Sequence, residues 1–141
     1  MPRYDDDRLQ AIFERANGRC HLCGKKLAFS NYGAHGKRGA WEVDHSKPIA
    51  EGGTDHLNNL YPAHTSCNRS KQAQSSTTVR KTNGRTRPPL SSAAIEREKE
   101  TNALTGIFAG GLLGARIAGP HGLLIGAIVG GLAAWFVEPD A

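Results

Sequence analysis

Four side chains in the first half of this 141-residue chain have the types and the order that hydrolysis would need. They are a carboxylate beside an imidazole, then an amide, then a second amide that follows a cysteine: Asp44, His45, Asn59 and Asn68. A carboxylate oxygen and an amide oxygen can hold a hard divalent cation, and a neighbouring imidazole can take a proton from water. These are the groups that hydrolysis of a phosphodiester requires.

Two ligand pairs frame these side chains. Cys20 and Cys23 are separated by two residues, and so are His64 and Cys67. Zinc prefers tetrahedral thiolate and imidazole ligands, commonly in such pairs, and three cysteines fit metal binding better than a disulfide framework. We therefore predict a structural Zn²⁺ bound by these four residues. The alternative is that Cys67 is a small buried residue and the first two cysteines are a chance pair. His21, between the first two ligands, is expected to face solvent.

Short secondary-structure elements are predicted around these residues. Apolar spacing predicts an amphipathic helix over 5–17. Strands are predicted over 40–45 and 59–62, and a helix over 65–73. Adjacent side chains on a strand point to opposite faces, so the first strand must bend or end at its carboxylate–imidazole pair. The fold class is α+β.

Five stretches of the sequence combine into a compound motif. They are residues 19–23, 41–49, 51–55, 57–62 and 64–71. Together they resemble the zinc-containing type of HNH endonuclease over residues 19–71. The resemblance implies a ββα-metal (His-Me finger) fold, in which two strands and a helix surround one catalytic divalent ion. One departure is His64, where many members have cysteine.

The resemblance also implies roles for single residues. His45 would be the general base that activates water, which suits an unperturbed histidine pKa of about 6.5. Asp44 and Asn68 would ligate the catalytic Mg²⁺ or Mn²⁺. The Asn59 amide would tie the loop to the backbone and orient the base. Glu42 is expected to be an ordinary surface residue of its strand.

The charge of the chain favours an anionic partner. The formal net charge is +5 and the pI is about 9.4, which suits DNA or a membrane surface. Phosphate contacts are expected from Lys47, Arg69, Lys71, Arg80, Lys81, Arg85 and Arg87. Little sequence specificity is expected, because no recognition helix is evident. The alternative for residues 80–87 is a solvated basic linker near an anionic membrane.

Composition divides the chain into four segments. Residues 1–75 are predicted to be the nuclease domain with its zinc knuckle, and 76–91 a basic linker rich in Ser, Thr, Arg and Pro. Residues 92–102 are expected to form a charged helix, and 103–137 an apolar segment. The polar, acidic start of the chain does not predict a cleavable signal peptide.

Glycines recur at every fourth residue in two rows of three within the apolar segment. They are Gly106, Gly110, Gly114, Gly122, Gly126 and Gly130. Such rows let helices approach closely in lipid, so helices over 103–118 and 121–137 are expected to form a hairpin that resembles glycine-zipper membrane domains. It would anchor the chain and could support a homo-oligomer. The alternatives are one continuous tilted helix and a buried soluble hairpin.

The expected function is that of a membrane-tethered, metal-dependent HNH endonuclease acting on DNA. The positive-inside tendency places the nuclease on the cytoplasmic face of a membrane, expected to be the bacterial inner membrane; a cytoplasmic protein is the alternative. Its use would be defence against incoming DNA or delivery as a toxin. Two other classes stay open: a non-catalytic zinc-containing nucleic-acid-binding module, and a membrane-active glycine-zipper protein with a regulatory zinc domain.

Overall fold

The computed structural model describes residues 4–105 and residue 107. The chain divides into two units, Met1–Ser92 and Ala93–Ala141. The helices and strands of the first unit are α1 (Asp6–Glu14), β1 (Trp41–His45), β2 (Leu60–His64), α2 (Thr65–Lys71) and α3 (Ser76–Thr82). Short 3-10 turns lie at Phe29–Asn31, Ile49–Glu51 and Leu57–Asn59.

The first helix, α1, presents an apolar side to the core. The side chain of Asp5 accepts the backbone N–H of Arg8 (2.8 Å) and begins the helix, while Leu9 and Ile12 are buried. The helix ends earlier than the predicted residue 17, because the backbone turns into the left-handed region before Gly18, whose φ is +64°. A Cβ at Gly18 would lie 2.8 Å from the ring of Phe13, so only glycine fits.

The sheet has two antiparallel strands, as the α+β prediction requires. Trp41 pairs with His64 and His45 pairs with Leu60. Pro62 is tolerated within β2 because a two-stranded sheet has only edge strands. Its carbonyl accepts the N–H of His21 (2.9 Å), which fastens the preceding loop to the outer side of β2.

The two faces of β1 meet different partners. Trp41 is fully buried with Leu9, Ile12 and Leu60, and Val43 packs against that cluster. Glu42 and Asp44, which alternate with Trp41 and Val43 along the strand, contact α2 on the other face. Because α2 starts where β2 ends, it packs beside β1 and brings Asn68 and Lys71 close to the strand that carries Asp44.

The interval 76–91, predicted to be a basic linker, begins with helix α3, so the linker prediction is wrong over Ser76–Thr82. Ser75 caps the helix by accepting the N–H of Thr78 (3.3 Å). Val79 packs against the core cluster of Cys20, Leu22 and Ala63, and Ser76 and Arg80 are buried. Packing therefore stabilises a helix that the polar composition did not favour.

Residues 92–105 are helical, and they include the segment 92–102 for which a charged helix is predicted. Among residues 4–105 and 107, no helix combines the length and the apolar character that crossing a membrane requires. The predicted glycine-zipper hairpin of 103–137 lies outside the described residues, apart from 103–105 and 107.

Candidate functional site

Four predicted metal ligands converge in the structure. The ligand atoms of Cys20, Cys23, His64 and Cys67 all lie within 4.8 Å of one another. Cys23 Sγ and His64 Nδ1 are 3.5 Å apart. In a tetrahedral zinc site with Zn–S bonds of about 2.3 Å, neighbouring ligand atoms lie about 3.8 Å apart. The cluster therefore could hold a structural zinc ion, as the spacing of these residues predicts.

The three thiols of this cluster perturb one another. Hydrogen bonds from Cys20 and Cys67 push the pKa of Cys23 far below its ordinary value. The hydrogen bond with Cys23 is the largest cause that raises the pKa of Cys20, followed by the bond with Cys67 and by burial. A thiolate held among thiols is the form that binds a cation, since zinc ligands must be deprotonated.

The loop that carries the first ligand pair is closed by backbone bonds. The N–H of Cys20 donates to the carbonyl of Lys25 (2.9 Å), and the N–H of Gly24 donates to the carbonyl of Cys20 (2.8 Å). Gly24 has a φ of +78°, and a Cβ there would lie 2.5 Å from the guanidinium of Arg85. The N–H of His64 donates to Cys20 Sγ (3.3 Å), which joins this loop to the second pair.

The predicted metal ligand Asp44 is buried in a network of donors. His21 Nε2 (2.7 Å) and Ser76 Oγ (3.4 Å) donate to one carboxylate oxygen, and Lys71 Nζ donates to the other (2.9 Å). Lys71 is only 2 % exposed and also donates to the carbonyl of His45 (3.1 Å). The prediction that Lys71 contacts phosphates is therefore wrong, because its ammonium is bound to the Asp44 carboxylate and to the carbonyl of His45 inside the domain.

The carboxylate of Asp44 is held in its ionised form. Burial acts to raise its pKa, but the hydrogen bonds and charges of His21 and Lys71 outweigh burial and leave the pKa below its ordinary value. Three of about four acceptor positions on the carboxylate are used by these donors. A cation at Asp44 would have to use the remaining position or replace a donor.

His21 is fully buried, so the prediction that it faces solvent is wrong. Its ring stacks on Tyr61 at 4.9 Å, and its Nδ1 accepts from Arg80 (3.3 Å). Burial is the largest cause that lowers the pKa of His21, which fits a neutral ring with its proton on the nitrogen that faces Asp44. Arg80, predicted to contact phosphates, is 7 % exposed and directed to this ring, so that prediction is also wrong.

The predicted base His45 lies at the end of β1. Its Nε2 is 2.7 Å from Oδ1 of Asp55, and the Tyr4 hydroxyl donates to the same oxygen (3.1 Å). Strand alternation directs His45 away from the side of β1 on which Asp44 is buried. Asp55 has no role in the sequence analysis, although it belongs to the resembling stretch 51–55. The bond depends on a loop closure that local spacing does not reveal.

Asn59 fastens the loop between β1 and β2. Its Oδ1 accepts the N–H of Lys47 (2.8 Å), and its Nδ2 donates to the carbonyls of Lys47 (3.0 Å) and Thr54 (2.9 Å). The carbonyl of Asn59 accepts the N–H of Ser46 (2.8 Å). The loop that follows His45 is thus tied to the start of β2, while the effect of Asn59 on the base stays a prediction.

Asn68 lies on α2 beside Glu42. Its Nδ2 donates to Glu42 Oε2 (3.0 Å), and the other carboxylate oxygen is 3.4 Å from His35 and 3.6 Å from Arg69. Asn68 and Asp44, predicted to bind one ion, thus belong to different hydrogen-bonded groups. Glu42, expected to be an ordinary surface residue, is half-buried and its carboxylate is the acceptor that these three side chains share. Its position two residues before Asp44, and therefore on the same strand face, is a signal that the sequence contained.

The predicted phosphate-contacting residues divide by burial. Lys71 and Arg80 are buried, and Arg85 is half-buried. The exposed ones are Lys47, Arg69, Lys81 and Arg87.

One comparison with known proteins gave a match. Residues 20–74 match the family model described as HNH endonuclease. No curated protein and no solved structure matches the chain. The matched interval contains the Cys₃His cluster, both strands and α2. It supports the HNH family for this part of the chain and, with the cluster, a nuclease with a possible metal site.

Proposed function

We propose that this protein is a metal-dependent endonuclease that hydrolyses phosphodiester bonds in DNA with a ββα-metal site. The observation that carries the proposal is the HNH match over residues 20–74. The two strands and the following helix, β1, β2 and α2, lie within that interval together with His45, Asn59 and Asn68.

His45 is the proposed general base. Its Nε2 is engaged by Asp55, while Nδ1 has no hydrogen-bond partner among the residues that the structure describes. The imidazole at the end of β1 is only 18 % exposed, so it is partly shielded and has one nitrogen left to take a proton from water. When His45 takes this proton, its positive charge would be balanced by the Asp55 carboxylate.

Asp44 and Asn68 are the proposed ligands of a catalytic Mg²⁺ or Mn²⁺. Carboxylate and amide oxygens suit a hard cation, and the amide oxygen of Asn68 accepts no hydrogen bond within residues 4–105. Glu42 adds a second carboxylate beside Asn68. When bound, the cation would supply charge stabilisation at the phosphate. The zinc cluster would fix the start of α2, where Cys67 precedes Asn68.

DNA is the proposed substrate, with little preference for sequence. Lys47, Arg69, Lys81 and Arg87 are exposed cations that suit phosphates, and phosphate contacts carry no sequence information. We also propose, from the sequence alone, that residues 103–137 tether the enzyme to the cytoplasmic face of a membrane, such as the bacterial inner membrane, and can self-associate. The further proposal of defence against incoming DNA, or of use as a toxin, is motivated only by the combination of a nuclease domain with a membrane tether in one chain.

One observation favours a second candidate. The Asp44 carboxylate is bound by three donors, including the buried Lys71 ammonium. A buried ion pair at the place of a proposed metal ligand fits a non-catalytic, zinc-containing module that binds nucleic acid. Such a module would bind DNA and leave it intact.

Plasmid cleavage distinguishes the two candidates. The purified zinc-loaded chain is incubated with supercoiled plasmid and Mg²⁺ or Mn²⁺, beside His45→Ala and the control His56→Ala, which alters an exposed histidine of the same loop. We expect His45→Ala to lose at least about 100-fold in rate and His56→Ala to keep the wild-type rate. If the wild type cuts with neither ion, the enzymatic proposal fails.

Membrane tethering is tested by fractionation. The full chain is expected to sediment with membranes, and a chain ending at residue 102 is expected to stay in the supernatant. The tether is refuted if the full chain also stays in the supernatant.

A further inference from the structure

We propose that Asp55 is the positioning residue of His45 and fixes the imidazole as the Nε2–H tautomer, with Nδ1 facing the reacting water. The inference rests on the proposed function only where it calls His45 the base. The tautomer and its cause stand on the geometry alone.

The first step is the bond itself. Oδ1 of Asp55 lies 2.7 Å from Nε2 of His45 and 3.1 Å from the Tyr4 hydroxyl. An ionised carboxylate only accepts hydrogen bonds, so the proton of the neutral imidazole must sit on Nε2. The lone pair is then on Nδ1, which has no partner among the described residues. The Asp55 side chain is 44 % exposed, so the bond acts through orientation and contributes little to stability.

The second step is how Asp55 is held. The Arg8 guanidinium donates to its backbone carbonyl and lies over the Tyr4 ring, 5.3 Å from the centroid. On the other side, Nδ2 of Asn59 donates to the carbonyl of Thr54 (2.9 Å). The backbone carbonyls at 54 and 55 are therefore both fixed. Asn59 thus has a physical route to the base, because it holds the segment that carries the carboxylate.

The third step concerns where these groups lie in the chain. Tyr4 and Arg8 precede the interval 20–74 that matches the HNH model. Asp55 lies within that interval, but it accepts one hydrogen bond from Arg8 of α1 and one from Tyr4, the residue before the N-cap of α1. The positioning of the base therefore depends on a segment outside the matched domain.

The tautomer can be read directly by NMR. Long-range ¹H–¹⁵N spectra of the zinc-loaded full chain, at a pH where His45 is neutral, report which ring nitrogen carries the proton. We expect Nε2–H in the wild type, a mixture of tautomers in Asp55→Ala, and an intermediate result in Asp55→Asn, which keeps an acceptor oxygen without its charge. Asp7→Ala, at an exposed position on α1, should match the wild type.

The kinetic readout accompanies the spectra. Asp55→Ala is expected to lower kcat by about 10- to 100-fold with KM within about twofold, because the base is misoriented while phosphate contacts persist. Asp55→Asn should recover part of that loss. Zinc content and the unfolding midpoint, measured on each variant, identify any that are misfolded. If Asp55→Ala does not fold, Asp55→Asn alone decides, and wild-type behaviour in both readouts would overturn the inference.

Failure of the inference is separable from failure of the proposed function. A wild-type His45 proton on Nδ1, or a tautomer unchanged by Asp55→Ala, overturns the positioning role even in an active enzyme. Conversely, the expected tautomers in a protein that cuts no DNA leave the positioning contact intact and refute the nuclease.

Discussion

Replacing Lys71 with methionine removes one partner of a buried ion pair. Lys71 is 2 % exposed and Asp44 4 %, and their charged atoms are 2.9 Å apart. Methionine has a similar length and no charge, so the space stays filled. Asp44 would keep only His21 and Ser76 as donors, and the carbonyl of His45 would lose its contact with the ammonium.

The expected cost can be worked from these contacts. Breaking one side of a buried pair costs about 3–5 kcal/mol, because a charge is left without compensation. His21 and Ser76 continue to donate to the carboxylate, so we expect the lower end, about 3 kcal/mol. In urea, with excess zinc, a slope of about 1.5 kcal/mol per molar lowers the midpoint by about 2 M. The control Lys47→Met, at an exposed lysine, should change stability by less than about 0.5 kcal/mol.

A double variant tests the electrostatic cause. Adding Asp44→Asn to Lys71→Met removes the uncompensated charge, so the double variant should be more stable than the single one by at least about 1 kcal/mol. A cost below about 1 kcal/mol for Lys71→Met, or two effects that simply add, would refute the reasoning.

Three further outcomes are expected. His64→Ala should weaken zinc binding at least about 10-fold in a chelator competition, because it removes a direct ligand; unchanged affinity would exclude it from the set. Gly53→Ala should lower stability in thermal unfolding by about 2 kcal/mol, since its Cβ would lie 2.0 Å from the Lys47 carbonyl, and wild-type stability would contradict this closed loop. Arg69→Ala should reduce the salt slope of DNA binding, measured by anisotropy, by about 1, whereas the buried Arg80→Ala should keep the slope and unfold more readily.

The secondary structure around the motif was predictable because its signals are local. Alternation and Pro48 placed β1 within one residue, and α2 ends two residues before the end of the helix predicted over 65–73. The Cys₃His cluster was predictable for the same reason, since zinc chemistry restricts residue types and spacing. Helix α3 was not, because its stability comes from packing on Leu22 and Ala63, far away in sequence.

The polar interior was beyond a local reading. Lys71 and Arg80 look like surface cations in the sequence, yet their partners Asp44 and His21 lie 27 and 59 residues away. A charged side chain is buried only when a partner meets it, and such pairing depends on the fold. The link between His45 and Asp55 is of the same kind: the loop that joins them must close first.

The part of this chain that could be moved intact into another protein is longer than its recognisable motif. Residues 20–74 carry all four residues of the Cys₃His cluster, but Ser76 and Arg80, which donate to Asp44 and His21, come after them. Recombination at the edges of the motif would transfer these four residues, leave Nδ1 of the buried His21 without its donor and leave Asp44 with one donor fewer. Domain shuffling would therefore be tolerated only where the donor fragment runs from α1 through α3.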